Sequence, residues 1–162
     1  MREPPQQPLV LTRLQTLDTL HTTFPRALRS YLPDVLDAAL VHLEAYLPAY
    51  VQYYVVADEP APKTSEDEAL ELPNVAAPLV DFVAAVARAG RAKEWFVPAR
   101  VGALVAAVFA WAQISTESEE SWAASADAFI NEEGDASESY SIRTAGFDLL
   151  AVWWSRGVVR VP

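Results

Sequence analysis

Two histidines, His21 and His42, are the first residues to weigh for chemistry, because imidazole exchanges a proton near neutrality more readily than other side chains. His21 falls on the apolar face of a helix expected over 9–24, with Asp18 one turn earlier. That spacing suits a boundary histidine in a local ion pair better than a catalytic base. His42 has Ala38, Ala39, Ala45 and Tyr46 three and four positions away, none of them a carboxylate, and Glu44, two residues on, points elsewhere. One local pair with no nucleophile beside it does not assemble general acid–base machinery. The run Asn131-Glu132-Glu133-Gly134-Asp135 invites a calcium reading. An EF-hand loop needs glycine at its sixth position and glutamate at its twelfth, where this chain has Ala136 and Ile142. There is no glycine-rich phosphate loop, and with no cysteine there is neither a thiolate metal site nor a disulfide framework. The expectation is a protein without catalytic residues, cofactor or metal.

What remains is charge. From Ser115 to Glu138 every charged residue is a carboxylate, and between Ala57 and Pro73 only Lys63 opposes a second acidic run. The candidate partner-facing residues are Asp58, Glu59, Glu66, Asp67, Glu68, Glu117, Glu119, Glu120, Glu132, Glu133, Asp135 and Glu138. A net charge of −10 over 162 residues repels nucleic acid and anionic membranes and steers basic proteins inward. An acidic run taken alone equally describes a solvated surface. Two such runs joining apolar helices are suited to gripping a basic partner, with Trp122 and Phe129 as structural anchors rather than contact residues.

The elements that must carry these runs are helices. Residues 1–8 are rich in proline and glutamine and are expected to be disordered. Val10, Leu14, Leu17, His21 and Phe24 line one face of the 9–24 helix, which Pro25 ends. Pro33 suits the first turn of a second helix, running at least to Leu47. Pro48 is expected to kink it, with helix resuming through Tyr50, Tyr53 and Tyr54. Residues 57–73 form an acidic loop. Asn74 is the expected cap of a third helix that buries Val75, Leu79, Phe82, Val83 and Val86 and stops at Gly90.

The segment Val97 to Ile114 is the expected centre of the core. Val101, Leu104, Val105, Val108 and Trp111 make a large face; Gly102, Ala106 and Ala110 make a small one, so packing on two sides is expected. Thr116-Glu117-Ser118-Glu119 resembles a capping box, opening a short helix toward Ala124, and a second short turn holds Phe129 and Ile130. After an acidic bend over 131–138, a last helix from about Ser139 to Ser155 turns Ile142, Ala145, Leu149, Val152 and Trp153 inward. Residues 157–162 form an irregular tail. Nothing alternates at period two, so the class is all-α. Helix–turn–helix units of about forty to fifty residues match an antiparallel HEAT or armadillo-like α-solenoid over 9–156, with a compact helical bundle as the alternative. The apolar run Val101 to Ile114 is too short to span a bilayer. The N-terminus has no apolar signal region, so a soluble protein is expected.

The order of parts in the second half also resembles a known family. Trp122, Phe129-Ile130, the acidic run, Ser139-Tyr140-Ser141, Ile142-Arg143 and Asp148-Leu149-Leu150 follow the order found in the middle of importin-β superfamily nuclear transport receptors (karyopherins), closest to the importin-9 branch. Phe24-Pro25-Arg26, Tyr54-Val55, the first acidic loop and Val80-Asp81-Phe82-Val83 extend the resemblance over 9–152, and Arg156-Gly157-Val158-Val159-Arg160 departs from it. The resemblance implies a HEAT-repeat superhelix that carries cargo between cytoplasm and nucleus under control of the small GTPase Ran bound to GTP. The importin-9 branch takes basic cargo, including histones and ribosomal proteins. It further implies about three to four helix pairs from the middle of such a receptor, without the N-terminal repeats that supply most of the Ran contact or the C-terminal half of the arch. Self-association through exposed solenoid ends is expected. The alternative is a small helical adaptor that binds a partner helix and has no transport role.

Overall fold

Pro33 begins the architecture by favouring a first helical turn in which its missing N–H leaves no bond unmade. The computed structural model describes residues 16–17, 19–24, 26–57, 60–61, 63, 71–133 and 141–156. Helix α1 is Leu32–Tyr50, with Pro33 in its first turn. The helix continues through Pro48, and the irregularity expected there appears three residues later. Over Val51–Val56 the backbone widens to π-helical winding, closed by the Ala57 N–H donating to the Gln52 carbonyl at 3.1 Å. Ala57 is left-handed, with φ 53°.

Helix α2, Leu72–Arg88, is the centre of the molecule. It packs most extensively against α6 (Ile142–Arg156) and also against α1 and α3 (Pro98–Trp111). Helix α3 touches both α1 and α6, so these three wrap α2. Val75, Leu79, Phe82, Val83 and Val86 are buried as the periodicity predicts, but so are Ala76, Ala77, Val80, Ala84 and Ala87 on the remaining sides. Small alanines there let neighbouring helices close in around α2. Its C-terminus is a Schellman turn: the Arg91 N–H reaches the Val86 carbonyl, the Gly90 N–H reaches Ala87, and Gly90 takes φ 65°.

Its N-terminus corrects the sequence reading. Asn74 is not the cap; it lies inside the first turn, and its amide donates to the Glu71 carboxylate. The Leu72 N–H is satisfied instead by the Tyr54 hydroxyl at 3.3 Å.

Three tryptophans are fully buried. Trp111 donates its indole N–H to the Leu43 carbonyl at 3.0 Å and stacks on Tyr50 at 4.6 Å. Trp95 donates to Asp37 at 2.7 Å, which also receives Arg100 at 3.2 Å. The Arg100–Asp37 pair is half exposed and contributes at most about 1 kcal/mol, so the indole bond is the part that matters. Trp153 packs in the same core as Ile142, Ala145, Leu149 and Val152, the set expected to face inward.

Upstream of α1, helical backbone is present at 16–17 and 19–23. His21 is buried there, its ring edge-on to Phe82 at 5.8 Å, and Arg91 donates to its carbonyl at 2.8 Å. Asp18 and residues 1–8 lie outside the described residues. No β-strand occurs among the described residues, and the class is all-α. No single helix among them is long and apolar enough to cross a membrane.

Helix α3 meets α1, α2 and α6 through its large face alone, and the packing expected on its small face is absent among the described residues. Its large face is buried through Val101, Leu104, Val108 and Trp111, but Gly102 and Ala106 are exposed, and a Cβ at Gly102 would meet nothing within 4 Å.

Candidate protein-binding site

The acidic run after α3 folds into two short helices, α4 (Thr116–Ala124) and α5 (Ala126–Glu133), which pack against each other. The N-cap of α4 is Ser115, one residue earlier than expected: its hydroxyl accepts the Ser118 N–H at 3.1 Å. Thr116 is a tether instead, its hydroxyl donating to the Val55 carbonyl at 2.9 Å. Glu117 and Glu119 occupy the first turn, where the helix dipole favours negative charge.

This hairpin adds no buried residue from α4 to the core. Trp122 meets Phe129 edge to face at 5.1 Å, and the Arg143 guanidinium lies 4.9 Å from the Trp122 ring. The two expected anchors therefore hold the hairpin rather than the core. They clamp the hairpin to itself and, through Arg143, to the start of α6, while Phe129 stays half exposed. Sequence spacing does not single out Arg143 as a clamp, although an arginine that can reach a conspicuous tryptophan is the usual signal for one.

Glu117, Glu119, Glu120 and Asp127 are all exposed, and among the described residues none of them forms an ion pair. Glu132 and Glu133 supply backbone to the last turn of α5. Asp58, Glu59, Glu66, Asp67, Glu68, Asp135 and Glu138 lie outside the described residues.

Beneath the hairpin is an open pocket of about 430 Å³ where the first turns of α2, α4 and α6 converge over Tyr50 and Tyr54. Glu71 and Glu117 bring negative charge to it, and Arg143 brings positive. Burial pushes the Tyr54 phenol up; the Leu72 N–H pulls it back, and Glu71 and Glu117 raise it further. Burial also raises Tyr50, while Arg143 lowers it and Tyr54 raises it. With both signs of charge on its walls, and with the Leu72 N–H already met by Tyr54 and the Ser118 N–H by Ser115, the pocket forms the joint from which the hairpin projects. Among the described residues no three histidine or carboxylate side chains gather in a way that could hold a metal.

A second cavity of about 470 Å³ lies across Arg143 from the first and is apolar, lined by Val55, Phe109, Ile114, Phe147 and Leu150 among others. The sequence carried a signal for it: Phe147, Leu150 and Trp154 form a second stripe on α6, opposite the inward set. Compared with known proteins, the chain matches no protein-family model and no curated protein.

Proposed function

We propose that this chain is a protein-binding segment of a nuclear transport receptor of the importin-β kind, in which the α4–α5 hairpin meets basic cargo such as histones or ribosomal proteins. In this reading its helix pairs stack as a HEAT-like solenoid, it acts in cytoplasm and nucleus under Ran-GTP control, and it works by binding rather than catalysis. The observation that carries the proposal is the hairpin itself: its described charged residues are exposed carboxylates without ion pairs, on an element the core does not need. A surface built that way raises the local concentration of cationic partners and speeds encounter.

The test is titration of a core histone dimer into the full chain, comparing it with the Glu117→Gln, Glu119→Gln, Glu120→Gln, Asp127→Asn variant. Exposed pairs contribute about 0.3–0.5 kcal/mol each. Losing all four therefore predicts binding weaker by about tenfold at low salt, since ~1.4 kcal/mol is a factor of ten. The difference should shrink toward roughly 0.1 M salt and beyond, where screening acts within about 10 Å. Unchanged affinity at low salt would confine these carboxylates to keeping the chain soluble. Capture of Ran loaded with GTP from extract, with the same chain as bait, tests the transport assignment separately.

A further inference from the structure

Helices α3 and α6 present one apolar face that no described residue covers. On α3, Gly102, Ala106, Phe109 and Gln113 recur at three- and four-residue spacing and so share a side of the helix. On α6, Phe147, Leu150 and Trp154 do the same. The two stripes meet at the apolar groove, which Phe109, Gln113, Phe147 and Leu150 all line. Phe109 is 61%, Phe147 63% and Trp154 76% exposed. With about 150–250 Å² per aromatic side chain, these three rings alone leave roughly 400 Å² in water. That is already at the size of the largest apolar patch a monomer ordinarily shows, about 300–600 Å². Half-exposed Ile114 and the exposed parts of Leu150 and Ala106 add to this, which puts the face in the range of the non-polar share, about 56–65%, of the roughly 800 Å² per partner in a stable complex.

We infer that a second copy of this chain covers the face through a two-fold, isologous contact. The face carries both halves of a fit. Gly102 and Ala106 leave a shallow strip along α3, where a Cβ at Gly102 would meet nothing within 4 Å, and the α6 stripe meets the α3 stripe at the groove through Phe147 and Leu150. A two-fold axis lays the ring row of one copy along the strip of the other, and the reverse, so that both strips and both rows are filled. A head-to-tail contact would leave one strip and one row open at the ends.

This pairing is independent of the cargo proposal and responds to salt with the opposite sign. Each copy carries a net charge of −10, so screening the mutual repulsion strengthens an apolar contact between copies, whereas it weakens the grip on a basic partner.

Sedimentation velocity of the full chain across the micromolar range, at low and high salt, provides the test. The expected result is a species of two copies, against 17.8 kDa for one, whose fraction rises with concentration and with salt. Gly102→Glu places a side chain into open space in the monomer and blocks the strip. Trp154→Glu removes a ring from the row. Each should raise the dimer dissociation constant at least tenfold while leaving the circular dichroism spectrum of the monomer unchanged. A single-copy mass at every concentration would overturn the inference. So would a dimer indifferent to Gly102→Glu, or masses that grow beyond two copies, which would signify head-to-tail stacking.

Discussion

Replacing Gly146 with alanine probes a close approach between α3 and α6, near the start of α6 where Arg143 meets the acidic hairpin. An added Cβ would sit 2.8 Å from Val108 Cγ1, against about 3.5–4.0 Å for a relaxed carbon contact. Val108 is buried, and a β-branched side chain inside a helix has essentially one rotamer, so the methyl cannot swing aside and the helices must part. Overpacking of this kind costs about 1–3 kcal/mol. Alanine returns about 1 kcal/mol of helix propensity over glycine, so the net loss is roughly 0–2 kcal/mol. For a chain of this size each kcal/mol corresponds to a fall in Tm of about 2–4 °C. Because the lower end of that range is small, a double-mutant cycle decides. Val108→Ala alone loses buried methyl groups and costs about 1–3 kcal/mol. In that background Gly146→Ala meets open space and should stabilise by about 1 kcal/mol, giving a coupling of about 1–3 kcal/mol. Urea unfolding followed by tryptophan fluorescence supplies all four stabilities, provided the slope with denaturant stays constant. Additivity within about 0.5 kcal/mol would show that the two helices do not meet at this point, and the placement of α6 on α3 would be wrong.

Trp122→Ala removes both the edge-to-face contact with Phe129 and the cation–π contact with Arg143, together roughly 1–2.5 kcal/mol. The loss should register as faster hydrogen exchange over 116–133 with little change in the global melt; a melt as damaged as that of Trp111→Ala would place the hairpin in the core and sink this account. High pH should loosen the joint beneath the hairpin. Burial holds the Tyr50 and Tyr54 phenols above their usual range, so the folded state keeps protons that the unfolded chain releases. Stability is then fully present below about pH 10 and falls as pH rises through the folded values. Replacing both residues with phenylalanine should flatten that alkaline fall in Tm, and an equally steep fall in the double variant would assign it elsewhere.

Helices with a strong apolar period were legible because burial dictates both their spacing and their ends. Val75 to Val86, the stop at Gly90 and the inward set of the last helix could be read directly. The joints were harder, because several polar groups compete for the same exposed N–H groups. Ser115 lies in β-region backbone and reaches the Ser118 N–H, which frees Thr116 to bond Val55, and sequence spacing alone favoured Thr116 as the cap. Asn74 lost its expected role to a tyrosine hydroxyl distant in the chain, a contact that no local pattern encodes. The same limit applies to the small face of α3: Gly102 and Ala106 permit a close neighbour without specifying one. As for the candidate site, the acidic composition of the hairpin could be read residue by residue, whereas its clamp could not, since Arg143 reaches Trp122 only through the tertiary fold.

Arg143 connects the two surfaces. It covers Trp122, lines the polar joint and also borders the apolar groove. Glu117, Glu119, Glu120 and Asp127 form no ion pair among the described residues, so the hairpin keeps its pose through the Trp122–Phe129–Arg143 clamp and the Thr116–Val55 hydrogen bond. Ordering the hairpin holds Trp122 against Arg143, and holding Arg143 fixes one wall of the groove. Arg143 is thus the side chain shared by the hairpin clamp, the polar joint and the apolar groove, so the hairpin and the α3–α6 face meet at one residue.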